Sequence, residues 1–259
     1  MKKILISIAV YDTDENERAE YTKKTYQSLV ETINPKTTDV AFINNNSCKE
    51  TTDFLNSECG KVGFYIENLS NNIGTAEAVN RGWHEHGESG MFLVKLDNDV
   101  TFDSKYWADD MAACLEADPS LGVLGLKRKD LPNSPGSSEY PTELCFASRE
   151  FGSKWHVIEK CNDIIGTCHM INPALFEKIG YLYQPRLYGF DDVIMCHRSN
   201  LAGFQNAFYP SVGINHVDNK ETEYIEWKRK YAGIQFEEIN KIIEEYNIGS
   251  RSLYYNPFL

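Results

Sequence analysis

Met91–Val100 reads MFLVKLDNDV, an apolar run that ends abruptly in Asp97-Asn98-Asp99. The run predicts a strand that passes through a core and emerges with two carboxylates at its tip. Clustered anions repel one another, and packing does not require them there. Along an extended chain, residues i and i+2 point the same way, which aims Asp97 and Asp99 at one point. Two hard oxygen donors facing one point suit a divalent cation such as Mg²⁺ or Mn²⁺. The same tripeptide also reads as an acidic turn, with Asn98 supplying turn propensity.

On either side, short β-type runs alternate with helical stretches. Lys3–Val10 predicts a strand, and Glu15–Ile33 a helix with Tyr26, Leu29, Val30 and Ile33 on one face. Val40–Ile43 predicts a second strand, followed by the polar turn Asn44-Asn45-Asn46-Ser47 and a helix near Lys49–Ser57. Val62–Ile66 predicts a third strand, and Thr75 is placed to cap a helix that runs to about His86. Met91–Leu96 is then the fourth strand, Lys105–Ala117 the next helix and Leu121–Leu126 the fifth strand. This alternation implies right-handed βαβ units and a mostly parallel sheet flanked by helices. Ligands of such open sheets bind beyond the carboxyl ends of the strands. Polar residues gather at four successive ends: Tyr11-Asp12, Asn44–Ser47, Asn71-Asn72 and Asp97–Asp99.

Composition shifts at Lys127–Tyr140, KRKDLPNSPGSSEY, which reads equally as a mobile lid over that crevice or as a plain linker. Beyond it, Leu144–Ala147 and Trp155–Ile158 predict short sheet segments and Ile164–Ile171 a strand. Pro173–Ile179 predicts a short helix with proline at its first position, and Asp192–Leu201 another. Glu221–Tyr246 is a long amphipathic helix expected to lie across the body. There is no internal repeat, so residues 1–259 read as one domain.

The chain of 259 residues is long enough for a sizeable core. Its net charge of −12 argues against a face built for nucleic-acid phosphates. No apolar run approaches the roughly 20 residues that span a bilayer, and the MKKILISIAV start passes straight into strand-like alternation rather than a cleavage site. The seven cysteines, an odd number without CxxC pairs, suit reduced thiols in a cytoplasmic protein. No Cys/His cluster has zinc spacing, and His84-Glu85-His86 reads as exposed helix surface. An EF-hand over Asp97–Asp103 fails on spacing, with Phe102 where glycine is needed and Ala108 where a bidentate Glu belongs.

Several segments, in order, resemble a family 2-type glycosyltransferase with the GT-A fold, over roughly Ile4 to His216. They begin with a first strand ending in Tyr11-Asp12 and a second ending in Asn44–Ser47. Asn72-Ile73-Gly74 with Ala78, Asn80 and Gly82 is similar to the family's N-x-G-x-x-x-A-x-N-x-G run, and Asp97-Asn98-Asp99 to its DxD motif. Ile165-Gly166-Thr167 through Ile171, then Phe176–Gly180, resembles the acceptor-side stretch ending in F-x-x-x-G. Gly189-Phe190-Asp191-Asp192-Val193 resembles G-x-E-D-V. A helix with Arg198 and Gly203 follows, then Ile214-Asn215-His216, like the closing V-x-H. The acid usual at the end of strand two is Asn44 here, and the Glu of the Glu-Asp pair is Asp191.

The resemblance implies a Rossmann-like sheet with a small antiparallel acceptor-side extension. Residues 1–126 would bind the nucleotide sugar, 127–220 the acceptor, and 221–259 form a C-terminal helix and tail. It implies a metal-dependent inverting transfer from a nucleotide sugar, UDP-sugar favoured, to a glycan, lipid-linked or protein acceptor, with a nucleic-acid acceptor disfavoured by charge. A lipid-linked acceptor would be met at the membrane surface. The metal, Mn²⁺ or Mg²⁺, would be held by Asp99, Asp97 and His216. The donor would meet Tyr11, Asp12, Asn44, Asn72, Gly74, Asp97 and Asn98, with Asn44 offering a carbonyl acceptor to a uracil or thymine N3–H. Asp192 would be the general base, with Asp191 contacting the acceptor or supporting the loop. Arg81 reads as a solvated arginine or a phosphate contact. A nucleotidyltransferase on a related sheet would also place metal at a strand-end acidic pair, although Tyr11–Asn16 lacks its glycine- and lysine-rich phosphate loop. A non-catalytic nucleotide- or glycan-binding protein is the other alternative.

Overall fold

Ile4–Val10, ILISIAV, is buried along almost its whole length and forms the first strand, β1. Its odd and even residues enter different cores. Ile4, Ile6, Ile8 and Val10 join one apolar cluster and Leu5 the opposite one, as a strand covered on both faces requires. The computed structural model describes residues 3–131, 146–151, 154–218 and 222–259. In chain order, α1 (Ala19–Thr32), β2 (Thr38–Asn44), α2 (Lys49–Val62), β3 (Tyr65–Asn68), α3 (Thr75–His86) and β4 (Phe92–Leu96) follow β1. Then come β5 (Val100–Phe102), α4 (Trp107–Ala117), β6 (Leu121–Arg128), β7 (Phe146–Phe151) and β8 (Lys154–Cys161). The chain continues through β9 (Cys168–Ile171), α5 (Pro173–Ile179), α6 (Asp191–Leu201), β10 (Gln205–His216) and α7 (Thr222–Asn247).

The strands form one sheet in the order β3-β2-β1-β4-β9-β6-β10-β8-β7, with β5 pairing to β10 off that path. β1, β2, β3 and β4 run parallel, while β9 inserts antiparallel between β4 and β6, and β8 pairs antiparallel with β10 and β7. From β1 the chain moves outward through β2 and β3, then returns to place β4 on β1's other side. The carboxyl ends of β1 and β4 are therefore a topological switch point, where open sheets bind ligands. The mostly parallel sheet is what the alternating pattern predicts, and the antiparallel strands on its later half are what the resemblance implies.

Helices α1, α2 and α4 cover one face through Tyr26, Leu29, Leu55, Trp107 and Met111. Helices α3, α5 and α6 cover the other through Val79, Trp83, Leu175 and Met195. Helix α7 packs on α6 around Ile194, Ile239, Ile242 and Tyr246. Arg198 of α6 is fully buried and donates to the carbonyls of Tyr181 (2.8 Å), Leu253 (3.0 and 2.6 Å) and Ile179, tying the C-terminal tail to the body.

Several boundaries differ from those expected. Val62 ends α2 rather than opening a strand, because Gly63 takes a left-handed φ of 79° and stops the helix. Thr75 is the first helical residue, with Gly74 at the cap position and no side-chain cap. Only Cys168–Ile171 of the stretch from Ile164 is strand, since the His169 ring meets the carbonyls of Ile164 and Ile165 and closes a turn. The strand β5 carried no sequence signal of its own. Residues 132–140 of the lid-or-linker stretch, and Leu144, lie outside the described residues.

Helix α3 lies close on β1 because Gly82 faces Ser7, whose hydroxyl donates to the Val79 carbonyl at 2.9 Å. A Cβ at Gly82 would fall on that hydroxyl and come within 3.3 Å of Ile43 Cδ1. Gly82→Ala is expected to cost about 1–3 kcal/mol in thermal denaturation. Ser7→Ala in the same chain should recover part of it; strictly additive losses would show that the two do not press on each other.

Candidate active site

The bend that follows β4 builds the first half of the site. The backbone leaves extended geometry after Leu96 and bends at Asn98 and Asp99, so the two acids part instead of facing one point. Asp99 turns inward and is 4% exposed. Its carbonyl accepts from Val217 N–H at 2.9 Å, and the adjoining β5 pairs His216 opposite Val100. That register brings His216 Nε2 to 3.2 Å from Asp99 Oδ2. Asp218, two residues on, completes a set in which one ligand atom from each of Asp99, His216 and Asp218 lies within 4.8 Å of the others. Two carboxylates and an imidazole form a mixed O/N donor set suited to Mn²⁺ or a similar divalent ion. A positive group already lies against it, since the Arg18 guanidinium contacts Asp99 and, at 3.1 Å, Asp218. The fit is one of charge as well as donor type.

Asn98 and Asp12 hold this bend in place. Asp12 is fully buried and accepts from Thr22 Oγ1 (2.7 Å), Thr51 Oγ1 (3.0 Å) and Asn98 Nδ2 (3.0 Å). Asn98 also donates to Thr22 Oγ1 at 2.8 Å. Burial raises the Asp12 pKa, and these hydrogen bonds oppose the shift. The expected donor residues therefore divide. Tyr11 is 41% exposed at the rim, whereas Asp12 is buried and bonded to the half-buried Asn98. Asn44 donates to Thr52 and Asn68 and accepts from Ser47 N–H, which uses one of the two lone pairs of its carbonyl. Asn72 accepts from Asn45 Nδ2 and Gly74 N–H, fixing the loop before α3. Gly74, at φ 96°, allows close backbone approach, but the backbone it meets is Leu187: a Cβ there would sit 3.0 Å from Leu187 Cα. Arg81 pairs with Glu67 on the partly exposed flank of α3.

The second half of the site is organised by Lys95. This lysine lies in the apolar run of β4 and is 4% exposed. Its ammonium donates to the Gly166 carbonyl at 2.7 Å and meets Asp191 at 3.1 Å and Asp97 at 3.5 Å. Asp191 and Asp192 open α6, where the helix N-terminus favours anions. Gln184 donates to Asp191 Oδ1 at 3.2 Å and accepts from Ala76 N–H of α3 at 3.1 Å. Asp192 is partly exposed, and its Oδ1 accepts from Val193 N–H at 2.9 Å. Its pKa is pushed up to about 6 by desolvation and by the charge of Asp191, against the downward pull of Lys95. Position 166 is tight, because a Cβ there would stand 3.0 Å from both Asp192 Oδ2 and Lys95 Nζ. The buried His169 ring beneath is held neutral, its pKa lowered to about 4 by desolvation and by Lys95.

No family model matches the sequence, and no curated protein matches it. Solved structures do match. GalNAc-T7 with UDP, GalNAc and Mn²⁺ superposes with a TM-score of 0.63 at 13% identity, over 84% of this chain and 44% of that one. The mannosyltransferase PcManGT from Pyrobaculum calidifontis, in complex with GDP-Man and Mn²⁺, gives 0.61 at 15% identity over 85% and 58%. S. aureus TarS in complex with UDP-GlcNAc gives 0.61 at 14% identity over 84% and 60%. The fold is GT-A. This chain spans less than two thirds of the length of each of those three GT-A proteins.

Within the GT-A sheet, the structure brings Asp99 and His216 together, and Asp191 with Asp97 through Lys95. It leaves Asp97 outside the Asp99–His216–Asp218 set. Three members were missed by sequence reasoning: Arg18, Lys95 and Asp218. Lys95 had a signal, a lone cation inside an apolar strand, which is rarely buried without a partner. Lys95→Met is expected to cost about 3–5 kcal/mol, from the buried Asp191 pair left without its cation; the partly exposed Asp97 contact adds little. Without the ammonium, Asp192 should titrate above about 6. A carboxyl raised in the folded state loses stability as pH climbs through its folded pKa, so the deficit should be smaller at pH 5 than at pH 8 in chemical denaturation.

Proposed function

We propose that this protein is a metal-dependent inverting glycosyltransferase, moving a sugar from a nucleoside-diphosphate donor, with UDP-sugar favoured, to an acceptor hydroxyl. One observation carries the reading. A single ammonium, Lys95, touches both Asp97 of the donor-side bend and Asp191 of the acid pair, so a cation-binding set and a carboxyl tuned to near-neutral pH share one rim. The GT-A neighbours crystallised with Mn²⁺ and nucleotide or nucleotide sugar support the same class.

Asp99, His216 and Asp218 would hold Mn²⁺ or Mg²⁺, which when bound supplies Lewis-acid neutralisation of the leaving diphosphate. Tyr11, exposed on the rim, borders the nucleobase. Asp97, turned towards Lys95, is placed for the ribose or the sugar. Asp192 takes the acceptor proton: its Oδ1 is fixed by Val193 N–H, and a pKa near 6 suits a base at neutral pH. Asp191, clamped by Lys95 and Gln184, positions the loop that presents Asp192. Attack from the face opposite the leaving group inverts the anomeric centre. The acceptor is a glycan, a lipid-linked glycan or a protein; no helix among the described residues is long and apolar enough to cross a membrane.

Thermal shift against UDP-, GDP- and dTDP-sugars with and without Mn²⁺ is the direct test. Asp99→Ala should lose the metal-dependent shift. Asp192→Asn should keep it while transfer falls by about 10²–10⁴, and full transfer in that variant would refute the base assignment. Activity should rise with pH through about 6 as Asp192 deprotonates. Retained binding with no hydrolysis or transfer of any nucleotide sugar would favour the non-catalytic alternative.

A further inference from the structure

Arg18 lies at the end of the loop that leaves β1, immediately before α1, and its side chain is only 5% exposed. One guanidinium nitrogen donates to Asp99 Oδ2 and another to Asp218 Oδ2 at 3.1 Å. The Asp99 oxygen it holds is the same one that His216 Nε2 meets at 3.2 Å. Divalent cations bond carboxylate oxygens at about 2.0–2.6 Å. An ion shared by Asp99 Oδ2 and His216 would therefore need space that the guanidinium now fills. Two carboxylates, 5% and 8% exposed, lie against this one guanidinium, and a positive partner between them offsets their mutual repulsion and desolvation.

We propose that Arg18 is the resident cation of the divalent site: guanidinium and metal exclude each other on Asp99, and the metal is taken up together with a nucleoside diphosphate. The inference rests on the glycosyltransferase reading for its ligand, and on the contacts of Arg18 for its mechanism. Free metal binds only during the fraction of time that Arg18 is away from Asp99, which lowers its apparent affinity by that fraction. A diphosphate changes the balance, because its oxygens accept the released guanidinium in a bidentate pair. Metal and diphosphate then bind cooperatively, each removing a cost from the other.

Electron paramagnetic resonance of free Mn²⁺ tests this on the whole chain. With a site open about one tenth of the time, Arg18→Gln should bind Mn²⁺ about tenfold more tightly than the parent without nucleotide. UDP should then raise Mn²⁺ affinity far more in the parent than in Arg18→Gln. Equal or weaker Mn²⁺ affinity in the variant overturns the role of Arg18 and leaves the glycosyltransferase reading standing. Failure of both proteins to bind Mn²⁺, with UDP present or absent, overturns the metal site and this inference together. A crystal structure of the parent soaked in Mn²⁺ decides the matter without a variant. Arg18 displaced from Asp99 supports the exclusion, and Arg18 still on Asp99 beside a bound Mn²⁺ overturns it.

Discussion

The buried ammonium of Lys95 is the constraint on which the rim of this sheet depends. Its charge touches both the bend after β4 and the start of α6. Taking a lysine out of water is costly, and only partners of good geometry offset it. Here those partners are two carboxylates and a carbonyl, each supplied by a different segment. The charge therefore fixes where α6 begins relative to β4, and so where Asp192 stands. Glycine at 166 suits this arrangement, since a Cβ there would press on both the ammonium and Asp192 at 3.0 Å.

A second, separate cation performs the same service one bend away. Arg18 neutralises Asp99 and Asp218 as Lys95 neutralises Asp97 and Asp191. Between the two lies Asn98, neutral, whose amide is tied to Asp12 and Thr22. The Asp-Asn-Asp tip is thus a partition: one acid faces each cation, and the amide pins the wall between them.

Much of the fold could be read from residue patterns. β1, β2, β4 and β6 announce themselves as short apolar runs, and α1 by apolar residues at helical spacing, of which Tyr26, Leu29 and Ile33 are buried. What could not be read depends on long-range pairing. Arg18 and Asp218 are 200 residues apart and meet only because β10 ends beside the bend after β4. His216 stood out through a resemblance, yet its place beside Asp99 follows from the register of β5 on β10, and three residues of β5 gave no periodic signal. The i, i+2 rule misplaced Asp97 because it assumes an extended chain, and the chain bends at that point. Polar and glycine residues at strand ends serve two purposes, and residue type alone does not show the structural one: Asn44 is tied to Thr52, Asn68 and Ser47, Asn72 to Asn45 and Gly74, and Gly74 lies against Leu187.

Among the described residues, the guanidinium of Arg198 has no carboxylate as a hydrogen-bond partner; three backbone carbonyls accept from it. Burial lowers its pKa to about 10, yet it remains charged at neutral pH. Leu253, whose carbonyl is one of those acceptors, belongs to the tail, so the last residues of the chain act as part of the solvent for an interior ion. Losing the tail would therefore expose more than apolar surface. It would strip solvation from a charge on α6, the same helix that presents Asp192 at its other end.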